Sequence, residues 1–301
     1  MKLRYSAFKM VEIYVWGHAV SGQLAIGETD DDIKLPKRVP YYEGFTPKVV
    51  DIACGSQHTV FLTNDGMVYT CGSNDFGQLG HGKVCRRPAR IDSIETMTIT
   101  QVTCGQDFTL ALSDKGKVLS WGNNRNGQLG HPVLDTINRP RNIKFFNDIH
   151  IIQISCGMLH SLALAADGRL FSWGDNTHGQ LGIGRIAQPP SPGKPYLVEG
   201  VLGIPVVEIS AGGYHSLALS LSGAIIGWGK NSYGQLGLED GTDQWFPVQI
   251  ESVRSQRVRH ISCGEDHTAL LTEDGGVFTF GSGEKGQLGH SSNFHQYQPR
   301  K

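Results

Sequence analysis

WGDNTHGQLG, Trp173 to Gly182, is one of six copies of a single pattern: an aromatic residue and Gly, four variable residues, then Gly-Gln-Leu-Gly. WGHAVSGQLA begins at Trp16, CGSNDFGQLG at Cys71, WGNNRNGQLG at Trp121, WGKNSYGQLG at Trp228 and FGSGEKGQLG at Phe280. Successive copies start 55, 50, 52, 55 and 52 residues apart, so a unit of about fifty residues tiles the chain and marks a repeat architecture. Its fixed positions are Trp16, Gly17 and Gly22; Gly72, Gly77 and Gly80; Trp121, Gly122, Gly127 and Gly130; Trp173, Gly174, Gly179 and Gly182; Trp228, Gly229, Gly234 and Gly237; and Gly281, Gly286 and Gly289. All are expected to be structural. The aromatic suits a wedge between neighbouring units, and the glycines allow close approach or positive φ. The four variable residues are expected to face outward.

Upstream of each motif the grammar is constant. VVDIACG from Val49, HTVFLT, the turn Asn64-Asp65-Gly66 and MVYTCG are three short β-rich runs separated by turn chemistry. A weaker fourth run, PARI from Pro88, lies beyond the motif. ITQVTCG, IIQISCG, VVEISAGG and VRHISCG open the later units, and X-Gly pairs sit where two-residue hairpin turns would need φ > 0. No window has a helical apolar period. Four antiparallel strands account for the repeat length and predict propeller blades, which must stack to bury both faces. The expected architecture is an all-β propeller of four-stranded blades. A short leader occupies 1–11 and the propeller 12–301, as a half blade at about 12–48 and units at about 49–98, 99–150, 151–205, 206–257 and 258–301.

Composition limits function. With 39% hydrophobic and 18% charged residues and a net charge of −1, the chain reads as folded, and no global basic field would draw it to nucleic acid or an anionic membrane. No apolar run suits a signal peptide or a membrane span. Cys54, Cys104, Cys156 and Cys263 hold one repeat position that Ala211 fills in the remaining unit. A small buried slot explains that substitution, and reduced thiols in the cytoplasm or the nucleus are expected.

The unit CGxxHSLAL, short turn, VxxWGxNxxGQLG resembles the RCC1 repeat, which implies a seven-bladed propeller. CGSQHTVFLTNDGMVYTCGSNDFGQLGHG, LGIPVVEISAGGYHSLALSLSGAIIGWGKNSYGQLGL and ISCGEDHTALLTEDGGVFTFGSGEKGQLGH are similar to the RCC1-like domain of the small HERC ubiquitin ligases. The chain departs from that pattern at Ala25, where Gly is usual, and at Cys71 and Phe280, where Trp is usual. Five complete units and a half blade imply an open ring, a fragment or short isoform less stable than a closed one. The HECT ligase domain of that family would lie outside this sequence.

Candidate chemistry is sparse. Cys54 with His58, Cys156 with His160 and Cys263 with His267 have a zinc-like Cys-x3-His spacing, but the equivalents Cys104/Phe108 and Ala211/His215 break it. The histidines better suit backbone groups at the blade turns. Gly281-x-Gly283-x-x-Gly286 matches a dinucleotide fingerprint without the helix it needs. No catalytic residue, metal or cofactor is therefore expected. Irregular loops are better candidates: residues 28–45, acidic then basic then aromatic; the segment with Pro189, Pro190, Pro192 and Pro195; and EDGTDQWFP. In the last, Trp245 and Phe246 are either an interaction hot spot or packing under their own blade.

The resemblance implies a propeller that binds protein partners or ubiquitination substrates for a HERC-like ligase, with no nucleic acid and no membrane span. The alternative it allows is guanine-nucleotide exchange on a Ran-like small GTPase. Exchange calls for a protruding wedge, and no insertion between units suits one.

Overall fold

The computed structural model describes residues 12–28, 31–40, 42, 45, 48–185, 191 and 193–301. The expected leader, together with Asp30, Pro189, Pro190 and Pro192, lies outside the described residues. A two-stranded half blade comes first, β1 (Tyr14–Gly17) paired with β2 (Ile33–Arg38). Five four-stranded antiparallel blades follow, each in sequential order. Blade I holds β3 (Val49–Cys54), β4 (His58–Thr63), β5 (Val68–Gly72) and β6 (Cys85–Arg90). Blade II holds β7 (Ile99–Cys104), β8 (Phe108–Ser113), β9 (Val118–Gly122) and β10 (Ile137–Asn142). Blade III holds β11 (Ile151–Cys156), β12 (His160–Ala165), β13 (Leu170–Gly174) and a short β14 (Tyr196–Leu197). Blade IV holds β15 (Val206–Ala211), β16 (His215–Ser220), β17 (Ile225–Gly229) and β18 (Gln244–Gln249). Blade V holds β19 (Val258–Cys263), β20 (His267–Thr272), β21 (Val277–Gly281) and β22 (Gln296–Arg300).

The hairpin turns differ from the two-residue expectation. Thr63 N–H donates to Met67 O and Gly66 N–H to Thr63 O, so three residues, Asn64 to Gly66, close the loop. The same pairs of bonds recur in blades II to V. Only the glycine has positive φ, +79° at Gly66, whereas a two-residue type I′ turn needs it at both positions. Aspartate is thereby relieved of the left-handed region.

The core lies between blades. Trp121, Trp173 and Trp228 are wholly buried, and each indole N–H donates to the main-chain carbonyl of the preceding blade's motif glutamine. Trp121 reaches Gln78 at 2.9 Å, Trp173 reaches Gln128 at 2.8 Å and Trp228 reaches Gln180 at 2.9 Å. The same carbonyls accept a hydroxyl, from Thr109, Ser161 and Ser216 respectively. Blades I to IV are thus bolted in series by wedges whose one polar atom is satisfied. Trp16 does not follow: it is 61% exposed, and among the described residues no blade precedes the half blade. At the other end β20 alternates half-buried and buried residues, where β4, β8, β12 and β16 are buried throughout.

Two of the three departures from the repeat, Ala25 and Cys71, explain each other. A β-carbon on Gly80 would lie 2.9 Å from the Trp121 indole nitrogen, and one on Gly182 would lie 3.0 Å from that of Trp228. At the first joint the equivalent glycine is Ala25, with φ +58°, and its methyl shares a core cluster with Cys71, the small residue in the tryptophan position. Cys71→Trp is therefore expected to destabilise by about 1–3 kcal/mol through overpacking, and Ala25→Gly to recover part of that loss. A double-mutant cycle in urea measures the coupling; additive effects would show that the two positions do not compensate.

Candidate interaction surfaces

The innermost strands β3, β7, β11, β15 and β19 surround the axis. At one end an opening of about 290 Å³ is lined by Cys54, Cys104, Cys156, Ala211 and Cys263. The position that sequence reading places in a buried slot is therefore an axial ring, and Cys54 is exposed. Burial nonetheless raises the thiols, Cys263 to about 12, so they are poor nucleophiles. A backbone relay girds the opening: Ser56 N–H donates to Gln106 O, Gln106 to Met158, Met158 to Gly213 and Gly213 to Glu265.

The histidines reach across blades and not to the turns of their own. His58 Nε2 lies 3.0 Å from Thr109 Oγ1, His160 Nε2 2.8 Å from Ser216 Oγ and His215 Nε2 3.0 Å from Thr268 Oγ1. Thr109, Ser216 and Thr268 hydroxyls donate onward to the carbonyls of Gln78, Gln180 and Gln235. A hydroxyl has one hydrogen, so it must accept from the histidine, which fixes the Nε2–H tautomer. The other ring nitrogen, Nδ1, is buried without a partner in all three. Desolvation lowers His58 and His160 to about 4 and His215 to about 3.

The motif's four variable residues do not all face outward. In the fourth copy Asn176 is wholly buried; its Oδ1 accepts from Leu181 N–H, and its Nδ2 donates to Gly184 O. Asn74, Asn124 and Asn231 brace their loops by the same Oδ1 contact. The position is Ala19 in the first copy and Gly283 in the sixth, so the brace belongs to the four copies between them.

Positions flanking the asparagine build a surface near the axis that sequence reading missed. Lys230 Nζ sits 3.0 Å from Asp266 Oδ1, with ring centroids of Tyr233 at 4.9 Å and Tyr214 at 5.8 Å. His178 pairs with Asp243 at 2.8 Å and stacks edge-on against Tyr214 at 5.4 Å, so blades III, IV and V all contribute. Burial raises the Tyr214 hydroxyl above its usual range. Beside it a cleft of about 390 Å³ is lined by Tyr233, Glu265, Asp266, His267 and Glu284. The legible signal was Tyr214 and Lys230 at repeat positions filled in blades I to III by Gln57, Asp107 and Leu159 and by Ser73, Asn123 and Asp175.

Trp245 and Phe246 lie apart from this cluster, on the outer strand β18. Trp245 is half-buried over Gly179 of the neighbouring blade III, and its carbonyl accepts from Gly184 N–H. A β-carbon on Gly184 would lie 2.9 Å from the Phe246 ring, yet Phe246 remains 61% exposed. Trp245 thus packs on the blade before its own.

A ring segment of four-stranded blades, bolted by tryptophans and displaying loops around an axis, defines a repeat β-propeller. Its sequence fits one family: the RCC1-like domain model matches residues 12–301, and the chain belongs to that family. It is 54% identical over 288 residues, 95% of its length, to the mouse probable E3 ubiquitin-protein ligase HERC4, of which it spans 27%. Human WBSCR16 has a solved structure that matches with a TM-score of 0.84 at 27% identity, covering 95% of this chain and 75% of that one. Yeast RCC1 (Prp20), solved bound to Kap60, shares the fold at 22% identity and a TM-score of 0.68, covering 96% and 82%. No helix among the described residues is long and apolar enough to cross a membrane.

Proposed function

We propose that this chain is the partner- or substrate-binding propeller of a HERC-like E3 ubiquitin ligase. The observation that carries the reading is 54% identity across 95% of the chain to one quarter of such a ligase. Ligation itself would belong to the rest of such a protein. The face around the axial opening is the proposed contact surface. It offers Tyr214 and Tyr233 as amphipathic anchors with Lys230, His178 and Glu265 around them, the mixture of aromatic and charge that interfaces favour. Phe246 supplies a second, peripheral contact. Nucleotide exchange is the weaker reading, since the likeness to yeast RCC1, at 22% identity, extends to the fold alone.

The test pairs two assays on the purified chain. Cytosolic pull-down is expected to enrich ubiquitin-pathway proteins, and Tyr233→Ala with Lys230→Glu to abolish that enrichment while the fold persists by circular dichroism. Nucleotide release from a Ran-type GTPase is expected to stay at background. Accelerated release, or enrichment unchanged by the double variant, would overturn the assignment.

A further inference from the structure

The chain as a whole carries a net charge of −1, yet its outer strands distribute charge very unevenly. β2, β6 and β10, reading IKLPKR, CRRPAR and INRPRN, hold eight cations and no acid in 18 residues. β14 and β18 hold none, and β22 holds only Arg300. The three basic strands are neighbours on the rim: Arg86 packs over Gly22 of the half blade and Asn138 over Gly77 of blade I. Arg38, Arg86 and Arg90 are tied to Glu12, Glu28 and the pair Asp92 and Glu95. Lys34, Lys37, Arg87, Arg139 and Arg141 are exposed, and no ion pair joins them to a carboxylate among the described residues.

Protection of sheet edges, the ordinary use of edge cations, does not account for this distribution. β18 and β22 are equally edges and carry the same proline, Pro247 and Pro299, with no cluster of cations beside it. Pro36, Pro88 and Pro140 already blunt the three basic edges, and by removing an N–H they also interrupt pairing with an incoming strand. Recognition on this rim must therefore run through side chains.

We infer that the rim formed by β2, β6 and β10 binds an acidic polypeptide segment through Lys34, Lys37, Arg87, Arg139 and Arg141. Nucleic acid fits the surface less well. Single strands need aromatic platforms between the cations, and none of these three strands contains an aromatic residue. Duplex DNA is stiff over about 150 base pairs and would touch a convex rim at few phosphates, whereas an extended acidic chain can follow it. Arginine's planar fork adds bidentate carboxylate contacts at three of the five positions.

This assignment rests on the partner-binding reading but uses a different surface, so the two can fail separately. The probe is a labelled 20-residue poly-glutamate peptide, read by fluorescence anisotropy in low and physiological salt. Binding is expected to weaken with salt, and at least tenfold in the triple variant Arg87→Glu, Arg139→Glu, Arg141→Glu. The matched control Lys115→Glu, Arg254→Glu, Arg257→Glu changes net charge equally elsewhere and is expected to bind within about twofold of the unsubstituted chain. A triple glutamine variant at the same arginines removes charge without repulsion, and is expected to lose several-fold if charge reversal perturbs folding. Absence of binding in low salt, equal loss in the control, or tighter binding of single-stranded RNA or duplex DNA of equal charge would each overturn the inference. Loss of peptide binding with axial-face partners retained would remove the rim assignment alone.

Discussion

Acidification from pH 6.5 towards 4 is expected to unfold this protein, at a slope on the order of 4 kcal/mol per pH unit from three buried histidines. His58, His160 and His215 are fully buried, and burial lowers them from 6.5 to about 4, 4 and 3. The unfolded chain binds a proton at each as the pH falls below 6.5, while the folded protein resists until near 4. Protonation therefore favours the unfolded state throughout that window, and the stability these groups preserve is fully present only above it. The structural reason is the relay of hydrogen bonds. Nε2 already donates to a hydroxyl of the next blade, so the incoming proton must go to Nδ1, which faces no acceptor. Urea unfolding at a series of pH values measures the slope. His160→Gln keeps an N–H donor for Ser216 and does not titrate, so it should reduce the slope by about 1.4 kcal/mol per pH unit. An unchanged slope would show that His160 titrates normally in the fold.

Trp173→Ala is expected to cost about 3–5 kcal/mol, whereas the same change at Trp16 should fall within about 0.5 kcal/mol. Both residues open a copy of one motif, so the difference isolates tertiary context. Trp173 is wholly buried between blades II and III, 5.5 Å from the Phe146 ring, with its indole on Gln128 O. Trp16 is largely exposed. Trp173→Phe should retain most of the burial and lose about 1 kcal/mol with the hydrogen bond, because Ser161 still satisfies the Gln128 carbonyl. Denaturant midpoints of the four proteins provide the comparison. Equal losses at Trp16 and Trp173 would mean that the wedge acts within its own strand and not as a joint.

Much of the architecture was legible because its causes are local. The motif's spacing gave the blade length, and β-rich runs between turn residues gave the strands. Other readings went astray where the deciding neighbour lies about fifty residues away. His58 meets Thr109 and His160 meets Ser216 across a blade boundary, so no inspection of either segment alone finds the bond. Trp245 was weighed against its own blade, but an outer strand overlaps the loop of the blade before it.

The sequence by itself determined that this chain is a propeller of repeated four-stranded units, because strand period, turn glycines and repeat length are properties of contiguous residues. Only the tertiary structure decided which repeated positions became joints and which became surface. Stacking brings each position against its counterpart one blade on, and there the available volume, the hydrogen-bond partner or the lack of a neighbour fixes its role. That is why Cys71 and Ala25 fit as a pair, why the cysteines ring the axis, why Trp16 is exposed where Trp173 is sealed, and why cations scattered over a hundred residues form one rim.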